Sequence, residues 1–240
     1  GGYIGVDIFF VISGYLITSI ILYETKSKNF SFLKFYERRI RRILPALIFI
    51  IIVTIPFAWN YLLPHQFKDY AYSLVTSVFF SSNMYFWFIG DQYASESALL
   101  KPFLHTWSLA VEEQYYIIFP FLLFVFIKYF NKYLFLIFSI ILICSLISAE
   151  FLSKSHASLN FYILPSRGWE LLSGSIIAKI KMDDEVIKNK IVKDFMPLVG
   201  LFLILFSFFY FNENVLHPSK FTAIPVIGTV LMIWFCRKGE

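Results

Sequence analysis

The run His105-Thr106-Trp107-Ser108-Leu109-Ala110-Val111-Glu112-Glu113-Gln114-Tyr115-Tyr116 sets a histidine and two adjacent carboxylates at the head of an apolar stretch that reaches Lys128 without another charge. A carboxylate inside a membrane span costs several kcal/mol unless it is neutralised, paired or turned toward a watery cavity, so it is a functional candidate by default. On a helix, His105, Ser108 and Glu112 fall at i, i+3 and i+7 in one polar stripe, with Glu113 beside it and Tyr116 one turn beyond Glu112. A histidine can carry a proton and a carboxylate can orient it, which is the requirement of general acid–base chemistry. His105, Glu112 and Glu113 are therefore candidate catalytic groups. The alternative is an interfacial cap in which Trp107, Tyr115 and Tyr116 belong to an aromatic belt.

Three other places carry polar chemistry. Asp7 stands near the mouth of the first apolar run, where it either caps a helix or points into a cavity. Ser13-Gly14 interrupts the same run, as small residues do where membrane helices pack closely. Glu37-Arg38-Arg39-Ile40-Arg41-Arg42 marks a cytoplasmic face by its charge. Arg39 and Arg42, one helical turn apart, could also grip a phosphate or pyrophosphate, because guanidinium binds such oxygens bidentately. Further on, Arg167, Glu170 and Gly174 share one helical face. They form either a structural ion pair at a helix mouth or a hold on a polar substrate.

These residues must be positioned by membrane helices. Apolar residues make up 58% of the chain and charged residues 15%, against about half and about a quarter in soluble domains. The expected fold is an all-α, polytopic membrane bundle of seven to eight spans. The runs are 1–23, Ile43 to Leu63 (with Pro45 in its first turn and Pro56 as a kink), Tyr70 to Trp87, Trp107 to Lys128, Tyr133 to Ala149, Met196 to Phe211 and Phe221 to Phe235, with a short segment Gly168 to Ile180. Runs four and five should form a tight antiparallel hairpin. If the arginine cluster is cytoplasmic and every run crosses, the lysine-rich loop after Lys179 lands outside, against the charge bias. Either Gly90 to Trp107 or Gly168 to Ile180 could then be re-entrant, lining a cavity.

The net charge of +5 comes in clusters that fit membrane topology and acidic lipids or phosphates, not nucleic acid. Cys144 and Cys236 lie in separate apolar segments and the four histidines are isolated, so neither a disulfide framework nor a metal site is indicated. The chain opens on Gly1, without a charged lead or a cleavage site, and reads as cut at the front. The sequence carries no information on oligomeric state.

Four segments taken in order resemble the acyltransferase-3 family of bacterial integral-membrane O-acyltransferases: Gly1-Gly2-Tyr3-Ile4-Gly5-Val6-Asp7 through Ser13-Gly14-Tyr15-Leu16-Ile17-Thr18, Phe35 to Ala46, His105 to Tyr116, and Arg167-Gly168-Trp169-Glu170-Leu171-Leu172-Ser173-Gly174. The resemblance implies a multi-pass protein of the bacterial inner membrane, with residues 1–240 as one membrane domain. It would move an acyl group, commonly acetyl, from acyl-coenzyme A to a hydroxyl of a cell-surface or cell-wall carbohydrate. Acyl-coenzyme A is the donor substrate, and no bound cofactor is implied. Arg38, Arg39 and Arg42 are the expected donor-binding residues. Asp7 joins His105, Glu112 and Glu113 as a catalytic candidate, while Ser13, Trp107, Tyr116, Arg167 and Glu170 are the candidates for holding substrate. In the family a further helix precedes the double glycine and carries a basic residue and then the histidine regarded as catalytic. This sequence begins after it, so His105 is a different residue, and the 240-residue chain is expected to be inactive alone, with a last helix also missing from its end. The competing expectation is a transporter or flippase of a glycan or acyl donor that does no chemistry.

Overall fold

A computed structural model describes residues 2–92, 101–183, 190–212 and 215–235. These residues are all-α: α1 (Ile4–Lys26), α2 (Phe32–Tyr61), α3 (Pro64–Val78), α4 (Ser82–Gln92), α5 (Thr106–Phe130), α6 (Leu134–Ser155), α7 (Ala157–Tyr162), α8 (Leu164–Met182), α9 (Lys190–Tyr210) and α10 (Ala223–Phe235). Short 3-10 turns at Asn131–Tyr133 and Lys220–Thr222 join the rest. Proline opens α3 at Pro64 and α8 at Pro165, where a missing N–H costs nothing because first-turn amides have no partner within the helix.

Four stretches are long and apolar enough to cross a membrane: Ile4–Lys26, Phe32–Tyr61, Thr106–Ser155 and Ile191–Tyr210. The third is 50 residues long and is broken at Asn131–Tyr133, where the chain turns back so that Phe119 and Phe126 of α5 both meet Phe138 of α6, at 5.7 and 6.3 Å between ring centroids. The expected hairpin is present, although its helices touch through these rings more than through close backbone packing.

Three expectations change. Helix α2 begins at Phe32, so the arginine cluster lies inside a helix and not in the loop before it, and Pro45 sits in the helix interior instead of its first turn. The run Tyr70 to Trp87 is not one helix, because Phe80 adopts a positive φ of 51° between α3 and α4. Gly168 to Ile180 lies within one unbroken helix, α8, with no re-entrant turn. Of the other re-entrant candidate, residues 93–100 lie outside the described residues, as do Asp184, Glu185 and Lys188 of the lysine loop and Cys236.

The organising contact is α1 against α8. A methyl group added at Gly14 would collide with the Leu171 carbonyl, and one at Gly174 with the Val11 carbonyl and, at 2.6 Å, with the Tyr15 nitrogen. Only hydrogen at both positions lets the two backbones meet, which is the usual reason for small residues in membrane helix pairs. The Ser13-Gly14 interruption thus divides: Gly14 serves packing, and Ser13 points elsewhere. Thr18 donates to the Ser175 hydroxyl at 2.8 Å and the Tyr115 hydroxyl pairs with the same oxygen at 2.9 Å, so α1, α5 and α8 are tied through one serine. A second glycine pair joins α9 to α10, with Gly200 and Gly228 facing each other's carbonyls.

Helix directions follow from the pairings. Phe10 meets Trp107 and Ser13 meets Glu112 and Tyr116, while Asp7 meets Arg167 and Thr18 meets Ser175. Helices α1, α5 and α8 therefore run parallel. Helix α2 runs the other way along α5: Phe32 packs on Phe124, and the Tyr36 hydroxyl donates to the Ile117 carbonyl at 2.9 Å.

Candidate functional site

Helices α1, α2 and α5 enclose a cavity of about 180 Å³ lined by Ser13, Arg39, Arg42, Glu112, Glu113 and Tyr116, with Phe9, Ile12, Leu16, Ile43 and Leu109 completing the wall. Residues as far apart as Phe9 and Tyr116 in sequence are brought together here because α5 presents one face to both α1 and α2. Glu112 and Glu113 are both buried. The Ser13 hydroxyl donates to Glu112 Oε1, Tyr116 donates to the same oxygen, and the Ser13 and Tyr116 hydroxyls also meet each other. Glu112 is thereby fixed by two donors from two helices. Glu113 differs: its Oε1 is buried and has no hydrogen-bond partner. Such an oxygen needs an explanation, since buried polar atoms are almost always paired.

The four arginines of α2 divide in the same way. Arg38 pairs with Glu24 at 2.8 Å and Arg41 with Glu37 at 2.8 Å, both near the surface. Arg39 and Arg42, the two that line the cavity, have no carboxylate within ion-pair distance among the described residues. Arg39 instead lies over the Tyr116 ring at 4.7 Å, a cation–π contact that holds the guanidinium at the cavity without spending its N–H donors. An exposed ion pair is worth little, so Arg38 and Arg41 are accounted for as surface charge. The cavity pair presents two cations that make no salt bridge among the described residues and stand within electrostatic reach of Glu113.

The remaining candidates are placed apart from this cavity. Arg167 is completely buried; its Nη1 bonds Asp7 Oδ1 at 2.6 Å and Glu170 Oε1 at 3.2 Å, and its guanidinium lies over Trp107 at 5.3 Å and Phe161 at 5.1 Å. Asp7, Trp107, Arg167 and Glu170 thus form a second polar cluster. Asp7 and Ser13 are six residues apart on α1, about 9 Å along the axis, and Phe10 packed edge-on against Trp107 stands between the two clusters. His105 stands at the start of α5 without a capping hydrogen bond from its side chain, exposed, with its ring beside Phe103 at 6.2 Å; it lines neither.

Sequence reasoning passed over His217. This residue reaches back from the segment before α10, its Nε2 3.3 Å from Asp7 Oδ1 and its Nδ1 3.2 Å from the Thr222 hydroxyl, with Tyr3 edge-on at 4.6 Å. Burial, and then the Arg167 guanidinium, push its pKa down to about 3 against the opposing pull of Glu170, so the ring stays neutral. Its partner lies 210 positions away, and nothing in the local sequence marks it.

The profile of the acyltransferase-3 family, described as "Acyltransferase domain", matches residues 1–239. An uncharacterised protein of Haemophilus influenzae is 37% identical over 95% of the chain and 96% of its own length. The peptidoglycan O-acetyltransferase OatA of Listeria monocytogenes is 30% identical over 97% of the chain, and the putative peptidoglycan O-acetyltransferase YrhL of Bacillus subtilis is 32% identical over the whole chain. The chain spans only 39% and 36% of the length of these last two. No solved structure shows significant similarity to it. A profile that covers all but the final residue, and a relative aligned almost end to end, place this multi-pass membrane protein in the acyltransferase-3 family.

Proposed function

We propose that the cavity between α1, α2 and α5 is the site at which an acyl group passes from acyl-coenzyme A to a hydroxyl of a cell-surface or cell-wall carbohydrate. The observation that carries this reading is the contrast within the arginine cluster: the two guanidiniums at the cavity are the two without a salt bridge among the described residues. They suit the phosphates of the donor, which guanidinium binds with paired hydrogen bonds. Glu113, with its free oxygen on the same wall, takes the proton of the acceptor hydroxyl as that oxygen attacks the thioester carbonyl. The carbon–sulfur bond then breaks and the thiolate leaves with a proton returned by Glu113. Glu112, held by Ser13 and Tyr116, shapes the site beside it. His105, exposed, and Asp7, engaged by Arg167, take no direct part. Acetyl as the acyl group and peptidoglycan as the acceptor are supported by the names of OatA and YrhL.

The same reading takes α5 and α6 as separate crossings and adds α8 and α10, and so arrives at seven spans in one domain, with the α3–α4 pair entering and leaving on one side, as the parallel course of α1 and α5 requires. Helix α8, with 19 residues, is about 28 Å long, close to the thickness of the hydrocarbon layer, and it lies parallel to α1.

The test is made in cells carrying the natural gene. Arg39→Gln with Arg42→Gln should lower acyl esters on the surface glycan by at least tenfold, while glycan quantity and protein level stay constant. Retained esterification would overturn the reading. Loss of the glycan itself would favour a transporter.

A further inference from the structure

The cavity has two unlike walls. Ser13, Glu112, Glu113 and Tyr116 form a buried polar side, each no more than 6% exposed. Opposite stand Phe9, Ile12 and Leu16 of α1, which line the cavity yet remain 48%, 39% and 47% exposed. A residue that both lines a cavity and faces outward sits at an opening. That opening lies between α1 and α2, which the Arg38–Glu24 pair joins and which each meet α5 through side chains. Helix α1 is apolar and of spanning length at this level, and Ile43 continues the α2 side beyond Arg39 and Arg42, so the opening reaches lipid past the two arginines. Phe9, Ile12 and Leu16 extend along α1 for about 10 Å, on either side of Ser13.

We infer that the opening receives the acyl chain of the thioester donor, so that the chain leaves the cavity sideways into the bilayer and donors longer than acetyl are accepted. This rests on reading Arg39 and Arg42 as the hold on the donor's phosphates. The occupant follows from the arrangement of charge: cations at one end, an apolar strip open to lipid at the other, and the carboxylates between them. An amphiphile with an anionic head, a reactive junction and an apolar tail matches that order. A closed apolar pocket would set a limit on chain length; an open one replaces the limit with a steady gain, because each methylene moved out of water strengthens binding by about fourfold.

The experiment measures binding to the protein encoded by the natural gene, purified into lipid nanodiscs, with empty nanodiscs as the blank. The ligands are coenzyme A and its acetyl, butyryl and octanoyl thioesters. Affinity should rise from coenzyme A to octanoyl, approaching about fourfold per methylene. The slope should flatten in Ile12→Trp and in Leu16→Trp, which fill the opening with apolar side chains at lipid-facing positions and so leave the fold intact. Binding of coenzyme A with no gain, or a loss, on lengthening the chain overturns this inference and spares the proposed function. Absence of coenzyme A binding overturns both. A slope unchanged in both tryptophan variants also overturns the inference, since the gain would then come from partition into the bilayer elsewhere.

Discussion

Glu112 and Glu113 are neighbours in sequence with opposite circumstances. Glu112 Oε1 accepts from Ser13 and Tyr116, whereas Glu113 Oε1 accepts nothing. Replacing Glu113 by glutamine keeps shape and volume but removes the ability to take a proton, so single-turnover acyl transfer should fall by about 10²- to 10⁴-fold with donor binding retained. Glu112→Gln keeps an oxygen that can accept from the two hydroxyls and should cost much less; equal losses would remove the distinction drawn between them. Most of these residues were legible in the sequence because charge in an apolar run is costly and so conspicuous. Glu112 and Glu113 stand out in that way, Tyr116 only by its place one turn beyond Glu112, and Ser13 as an interruption that reads first as helix packing. The division of the arginines was not legible, since only the fold decides which of four adjacent guanidiniums meets Glu24 or Glu37 and which faces the cavity. His217 was invisible for the same reason: its significance is a carboxylate at the far end of the chain.

Between helices, the decisive contacts are made by glycines. Gly174→Ala should destabilise the protein by about 1–3 kcal/mol, because the added methyl meets Val11 and Tyr15 backbone that cannot withdraw. Gly5→Ala, where nothing lies within 4 Å of the added methyl, should be neutral or stabilising by up to about 1 kcal/mol. Thermal unfolding followed by scanning fluorimetry compares the two, and equal shifts would show that the close approach of α1 and α8 is not what the glycine provides. Hydropathy located the helices well but their ends poorly. It marks where the chain enters lipid, whereas α2 continues past that boundary through its arginines, which are good helix formers. The break at Phe80 carried no glycine or proline to announce it.

Across the whole molecule, the His217 imidazole packs the segment before α10 against Tyr3 and Asp7 at the start of α1, facing Asp7, Arg167, Glu170, Thr222 and Tyr3. Its folded pKa is about 3 and its ordinary value 6.5. The histidine's share of stability is therefore complete above about pH 6.5 and is withdrawn as pH falls toward 3, because the unfolded chain takes up a proton that the folded one refuses. The fall in melting temperature between pH 7 and pH 5 should be smaller in His217→Gln than in the parent protein; equal falls would mean that acid acts elsewhere. The parallel course of α1, α5 and α8 has a consequence for the cluster this histidine adjoins. Three peptide macrodipoles point the same way, and at about half an elementary charge each they gather about one and a half positive charges at their amino ends. Arg167 adds another there, and this surplus gives a reason why a lone guanidinium in the interior is accompanied by two acids, Asp7 and Glu170, where one would have balanced it.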